Sequence, residues 1–152
     1  KEYERYYELL MNQDLYSSFE TTRHIEDRKL RKEQFFAKII FGNYKYCTSY
    51  ELNKEFKDRF PLIHKKIEAV SLKKSNLLPC EMQRVESNFI FNSVVPEIMK
   101  QFPNIVFTTI HDSIFCETLF AEQVKSIIEN CFKDNYKKEI ILKTENFNNW
   151  IS

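Results

Sequence analysis

The sequence predicts an α+β fold: mostly helical through residue 101, then a small antiparallel β-hairpin, a helix and a C-terminal strand. Three observations lead to it. Apolar residues recur at helical spacing, with Lys and Arg between them, through residue 101. The period then drops to two, with Ile105, Phe107, Thr109 and His111 alternating with Val106, Thr108, Ile110 and Asp112. Helical spacing returns at 120–135, and EIILKTE, Glu139 to Glu145, reads as a closing strand.

Each element has its own signal. Residues 2–12 read as a helix broken by Asn12-Gln13-Asp14. Residues 26–41 read as a strong helix carrying Leu30, Phe35, Phe36, Ile39 and Ile40, with Gly42 as its C-capping glycine. A third helix is expected at 49–58. Pro61 suits the first turn of a fourth, which runs to about Leu72. Residues 73–78 form a loop, and 80–101 a long helix that Pro96 should kink or divide. There is no internal repeat and no low-complexity stretch. The change of pattern suggests two segments, 1–78 and 79–152, within one compact piece.

Composition narrows the function classes. The chain has 152 residues, enough for one ordinary domain, and 43% of them are apolar, enough for a core. Its single glycine, Gly42, argues against glycine-rich phosphate loops. Cys47, Cys80, Cys116 and Cys131 are far apart and form no C-x-x-C pair, which fits reduced thiols in a cytoplasmic protein better than a zinc ribbon or a disulfide framework. No apolar run approaches the ~18 residues of a membrane span. The net charge of +1 is unevenly spread. Arg23 to Lys38 carries six basic and three acidic residues, Lys54 to Arg84 eight and four, and Asp112 to Glu145 five and seven. A basic front and an acidic back could suit an anionic polymer meeting a metal-binding region, but charge counts alone favour solvated helix faces.

Three constellations can carry chemistry. The hairpin tip places His111 and Asp112 where a carboxylate could hold a hard cation, although aspartate is also an ordinary turn residue. On the helix at 26–41, Arg28, Lys32, Phe36 and Ile40 step by four and form one stripe. Two cations one turn apart could clamp a polyphosphate, with an aromatic beyond them for a sugar or base. The third, Met82-Gln83-Arg84, begins the long helix, where Gln83 and Arg84 could reach a nucleic-acid groove or phosphate.

Taken together, Arg28-x-x-x-Lys32-x-x-x-Phe36, then Met82-Gln83, then Ile110-His111-Asp112 resemble the C-terminal fingers and palm of family A (DNA polymerase I-like) DNA polymerases. The resemblance to phage-type single-subunit RNA polymerases is more distant. Arg28, Lys32 and Phe36 match motif B, Gln83 the glutamine leading into the palm, and Ile110-His111-Asp112 motif C. Asp14-Leu15-Tyr16, Arg59-Phe60-Pro61-Leu62-Ile63 and the final Asn149-Trp150 extend the match from about residue 12 to the end. Ile40 stands where the family has Tyr, and Gly42 comes one residue late. Ser113 follows the RNA enzymes, while Phe36 follows the DNA enzymes.

The resemblance implies a fingers-like segment at 1–78, a palm-like segment at 79–152, and DNA synthesis from dNTPs on a primer-template. Lys32 and Asp112 would be catalytic, with Asp112 a ligand of a two-Mg²⁺ site. Arg28, Lys32, Phe36 and Ile40 would bind the nucleotide, and Gln83, Arg84 and His111 the DNA. No motif A aspartate is found in residues 1–27, so the second metal-binding aspartate is expected upstream of Lys1, and this chain alone is expected to be inactive. The alternatives are a single-subunit RNA polymerase, separable by sugar selectivity, and a degenerate, non-catalytic domain that only binds nucleic acid.

Overall fold

A computed structural model describes residues 1–12, 15–42, 50–73, 77–110 and 113–146. The fold is α+β, predominantly helical with one two-stranded antiparallel sheet among these residues. The chain divides into two compact units, Lys1–Met82 and Gln83–Ser152. The division falls inside a helix, four residues beyond the boundary expected after residue 78.

The first unit contains α1 (Glu2–Met11), a 3₁₀ turn (Glu20–Thr22), α2 (Arg28–Phe35), α3 (Glu51–Arg59), α4 (Pro61–Ser71) and the start of α5 (Leu77–Phe89). Its core is aromatic: Phe19, Phe35, Phe56 and Phe60 are buried together with Leu15, Ile39, Ile40, Leu52 and Ile67. Burial of each such side chain contributes roughly 1.5–3 kcal/mol before entropic costs. The helix starts are satisfied in different ways. Asp27 caps α2, its carboxylate accepting from Lys29 N at 2.8 Å. α4 begins with Pro61, which has no N–H to satisfy. Its next amides, Leu62 N and Ile63 N, donate to Glu2 of α1 at 3.1 and 2.8 Å. A side chain 60 positions away thus caps the helix and ties α1 to α4.

Glu55 does the same for the 3₁₀ turn. Its carboxylate accepts from Glu20 N at 2.9 Å, Thr21 N at 3.1 Å and the Thr21 hydroxyl at 2.9 Å. Arg59 lies 3.6 Å from it, with its guanidinium 4.8 Å over the Phe19 ring. Burial alone would push the Glu55 carboxyl up, but these donors and Arg59 outweigh burial and hold it below its ordinary value of 4.5. Its contribution to stability is therefore complete above about pH 4.5 and is lost as pH falls through the depressed folded value. Acid titrations of thermal stability should show this loss in the wild type and a flatter acid limb in Glu55→Gln. Identical acid limbs would contradict the assignment.

The helix expected at 26–41 is α2 continued by a π turn, Phe36–Ile40, closed by Phe41 N donating to Phe36 O at 2.7 Å. One extra residue per turn lets Phe35, Ile39 and Ile40 all reach the core. The expected C-cap role of Gly42 is not seen, since no described glycine has positive φ and the cap is Phe41 at φ −101.

The second unit holds the rest of α5, a π turn (Ile90–Val94), α6 (Val95–Gln101), β1 (Phe107–Ile110), β2 (Ser113–Cys116), a 3₁₀ turn (Thr118–Phe120) and α7 (Ala121–Tyr136). Ile90, Val94, Ile98, Val124 and Ile127 are its buried core. The break expected at Pro96 appears as the π turn just before it, with Val95 N donating to Ile90 O. The wider turn accommodates a ring that has no N–H and crowds the preceding carbonyls. α5 begins at Leu77, inside the stretch expected to be a loop. α7 ends on Lys137 in the left-handed region, at φ 55.

The expected closing strand does not form among the described residues. Residues 139–146 carry no ladder, although Ile140 and Leu142 are half-buried and Ile141 is exposed. A strand exists only where a neighbour takes its backbone hydrogen bonds, and the described sheet is β1-β2 alone. Cys80, Cys116 and Cys131 are free, and Cys47 lies outside the described residues. No helix among the described residues is long and apolar enough to cross a membrane.

Candidate functional site

The sequence points to two places, one on each unit. On the first unit, α2 carries Arg28 and Lys32 on its exposed face, with half-buried Phe36 opening the π turn one helical step further on. Successive steps of four in an α-helix keep these three on one side. The Lys32 Nζ lies 5.7 Å from the Phe36 ring centre, and the Arg28 guanidinium 5.6 Å from that of Tyr16. Tyr16 and Phe36 are themselves 6.3 Å apart. Two cations and two rings therefore share one face. Such a face can attract an anionic phosphate chain and offers aromatic surface to a sugar or base.

Sequence spacing does not mark Tyr16 as part of this group, because it reaches α2 through a loop and no helical step links it to Arg28. Burial pushes its hydroxyl above the ordinary tyrosine value, with the Arg28 guanidinium acting in the opposite sense. Tyr6 is raised further, chiefly by burial and secondarily by Tyr16.

Ile40 does not join this face. It is 6% exposed and belongs to the core cluster with Phe35 and Ile39. The step-of-four rule places it on the stripe, but the π turn closes over five residues, from Phe41 N to Phe36 O, so a step of four no longer completes the same rotation and Ile40 lies inward. It is therefore corrected from a nucleotide-contact residue to a core residue.

On the second unit, β1 and β2 pair Phe107 with Cys116, Thr108 with Phe115, Thr109 with Ile114 and Ile110 with Ser113. Phe107, Ile114 and Cys116 pack on the core, while Thr108, Ile110 and Ser113 are exposed. This is the half-buried hairpin that strict alternation demands. In sequence, residues 111 and 112 come between the two strands. Both predicted residues there, His111 and Asp112, lie outside the described residues. Gln83 and Arg84 are exposed on α5, at the start of this unit.

Among the described residues no three His, Cys, Asp or Glu side chains converge to hold a metal ion. Asp112 is the one metal-binding carboxylate that the sequence nominates, and the chemistry of an aspartate suits a hard cation such as Mg²⁺. Compared with protein-family models, curated proteins and solved structures, the chain matches none.

Proposed function

We propose that this chain is the nucleotide-handling part of a template-directed DNA polymerase, which adds dNTPs to a primer-template. The observation that carries the proposal is the face on which Arg28, Lys32, Phe36 and Tyr16 meet. Phosphoryl-type transfer is largely positioning and charge stabilisation, so two cations at helical spacing beside aromatic rings suit a triphosphate joined to a sugar and base.

Lys32 meets the triphosphate and offsets the charge that develops as pyrophosphate leaves. Arg28 holds the phosphate chain beside it, and Phe36 packs on the sugar. Gln83, Arg84 and His111 contact the primer-template. Asp112 would supply a carboxylate to hold Mg²⁺, which would contribute charge stabilisation of the transferring phosphoryl group.

The test is Lys32→Ala in the intact protein, assayed by primer extension. The KM for dNTP should rise about tenfold or more, as expected when a charged contact worth roughly 1.5–3 kcal/mol is lost. Primer-template affinity should stay near wild type. A variant that loses DNA affinity and keeps its KM for dNTP would contradict the role of Lys32.

A further inference from the structure

Four polar residues are buried among the described residues: Thr22, Asn53, His64 and Ser71. Two of them form a pair. Asn53 of α3 and His64 of α4 are each 3% exposed, and His64 Nε2 lies 2.9 Å from Asn53 Oδ1. A carboxamide oxygen only accepts, so Nε2 carries the hydrogen and donates. Burial, aided by Lys57 and opposed by Glu68, holds the imidazole below its ordinary value of 6.5, consistent with a neutral ring. With its oxygen turned to His64, Asn53 aims its amide the other way. Asn53 Nδ2 donates to Lys38 O at 3.4 Å.

Lys38 lies inside the π turn Phe36–Ile40. The last carbonyls of a helix lack intrahelical partners, and here a side chain from a different helix takes one of them. A polar pair in an aromatic core costs desolvation and offsets it only while its hydrogen bonds are made. Asn53 makes this bond when the Lys38 carbonyl sits where the π turn puts it. The same turn begins with Phe36 and turns Ile40 inward. The register that satisfies Asn53 is therefore the register that leaves Phe36 beside Lys32 and Tyr16.

From this we infer that Asn53, oriented by His64, is a positioning residue for the nucleotide face: it holds the π turn so that Phe36 stays presented next to Lys32. The inference rests on the proposed nucleotide-binding role of that face. It goes further by assigning a function to a buried pair of polar core residues.

The test combines ring signals of labelled Phe36, followed by NMR, with dATP titration of the chain. Asn53→Asp keeps the oxygen facing His64 and removes the amide that donates to Lys38. It should shift the Phe36 signals before any ligand is added and weaken dATP about tenfold, the upper range for one lost hydrogen bond. His64→Leu should do the same. His64→Gln, whose amide nitrogen can donate in place of Nε2, should stay close to wild type in both readouts. Should Asn53→Asp fail to fold, the Leu and Gln variants of His64 decide the matter between them. Unmoved Phe36 signals and unchanged affinity in His64→Leu, with the wild type binding dATP, would overturn the positioning role and leave the nucleotide face standing. No dATP binding by the wild type would overturn the nucleotide role of the face, and the positioning role with it.

Discussion

Truncating Phe56 to alanine should cost about 3–5 kcal/mol, the range for removing a buried phenylalanine. Phe56 is fully buried at the centre of the first unit. Its ring centre lies 5.5 Å from Phe35 and from Phe60, 6.2 Å from Phe19 and from His64, and 6.3 Å from Tyr6. These neighbours come from α1, the loop before the 3₁₀ turn, α2 and α4, so no single element can collapse into the space left behind. Each ring pair lost adds to the transfer term. Against a total stability of about 5–15 kcal/mol for an ordinary domain, the loss would leave this unit at the edge of folding. Phe56→Leu, which keeps most of the volume but loses the ring pairs, should cost less than Phe56→Ala. Urea denaturation followed by circular dichroism checks both. A loss under about 1 kcal/mol for Phe56→Ala would contradict the packing described.

The second large effect concerns chemistry. Asp112→Asn in the intact protein should reduce primer extension by at least about 100-fold, the size of effect expected when one preorganised electrostatic contact is removed. Asparagine keeps the size and turn preference of aspartate and removes the charge that a hard cation needs. Primer-template binding should change little, because the proposal assigns that contact to Gln83, Arg84 and His111 and not to Asp112. Paired extension and binding assays measure the two together. Unimpaired extension by the variant would sink the proposed role of Asp112.

Much of the fold was legible because helices and hairpins announce themselves locally. The Arg28, Lys32 and Phe36 stripe follows from helical spacing alone, and these residues do share a face. The hairpin follows from alternation, and β1 and β2 pair as that alternation demands. What escaped depended on partners distant in sequence. An extra residue in a helical turn is decided by which apolar side chains the core accepts, so Ile40 looks like a surface position and is buried. Tyr16 joins the candidate face through a loop, and Asn53 and His64 meet across two helices with nothing in their spacing to mark them. EIILKTE has a strand's composition, but its pairing requires an edge that the described sheet does not supply. The candidate catalytic carboxylate, Asp112, is nominated by the resemblance of short ordered motifs alone, and it lies outside the described residues.

The most direct test of the polymerase proposal is single-nucleotide incorporation by the intact protein on a primer-template, with Mg²⁺ and each dNTP or rNTP offered separately. The account predicts that the primer grows by the one deoxynucleotide that complements the template base, with the matching ribonucleotide used poorly. A protein that binds the primer-template and adds nothing would contradict it, and preferential growth from the ribonucleotide would assign the chain to RNA synthesis instead.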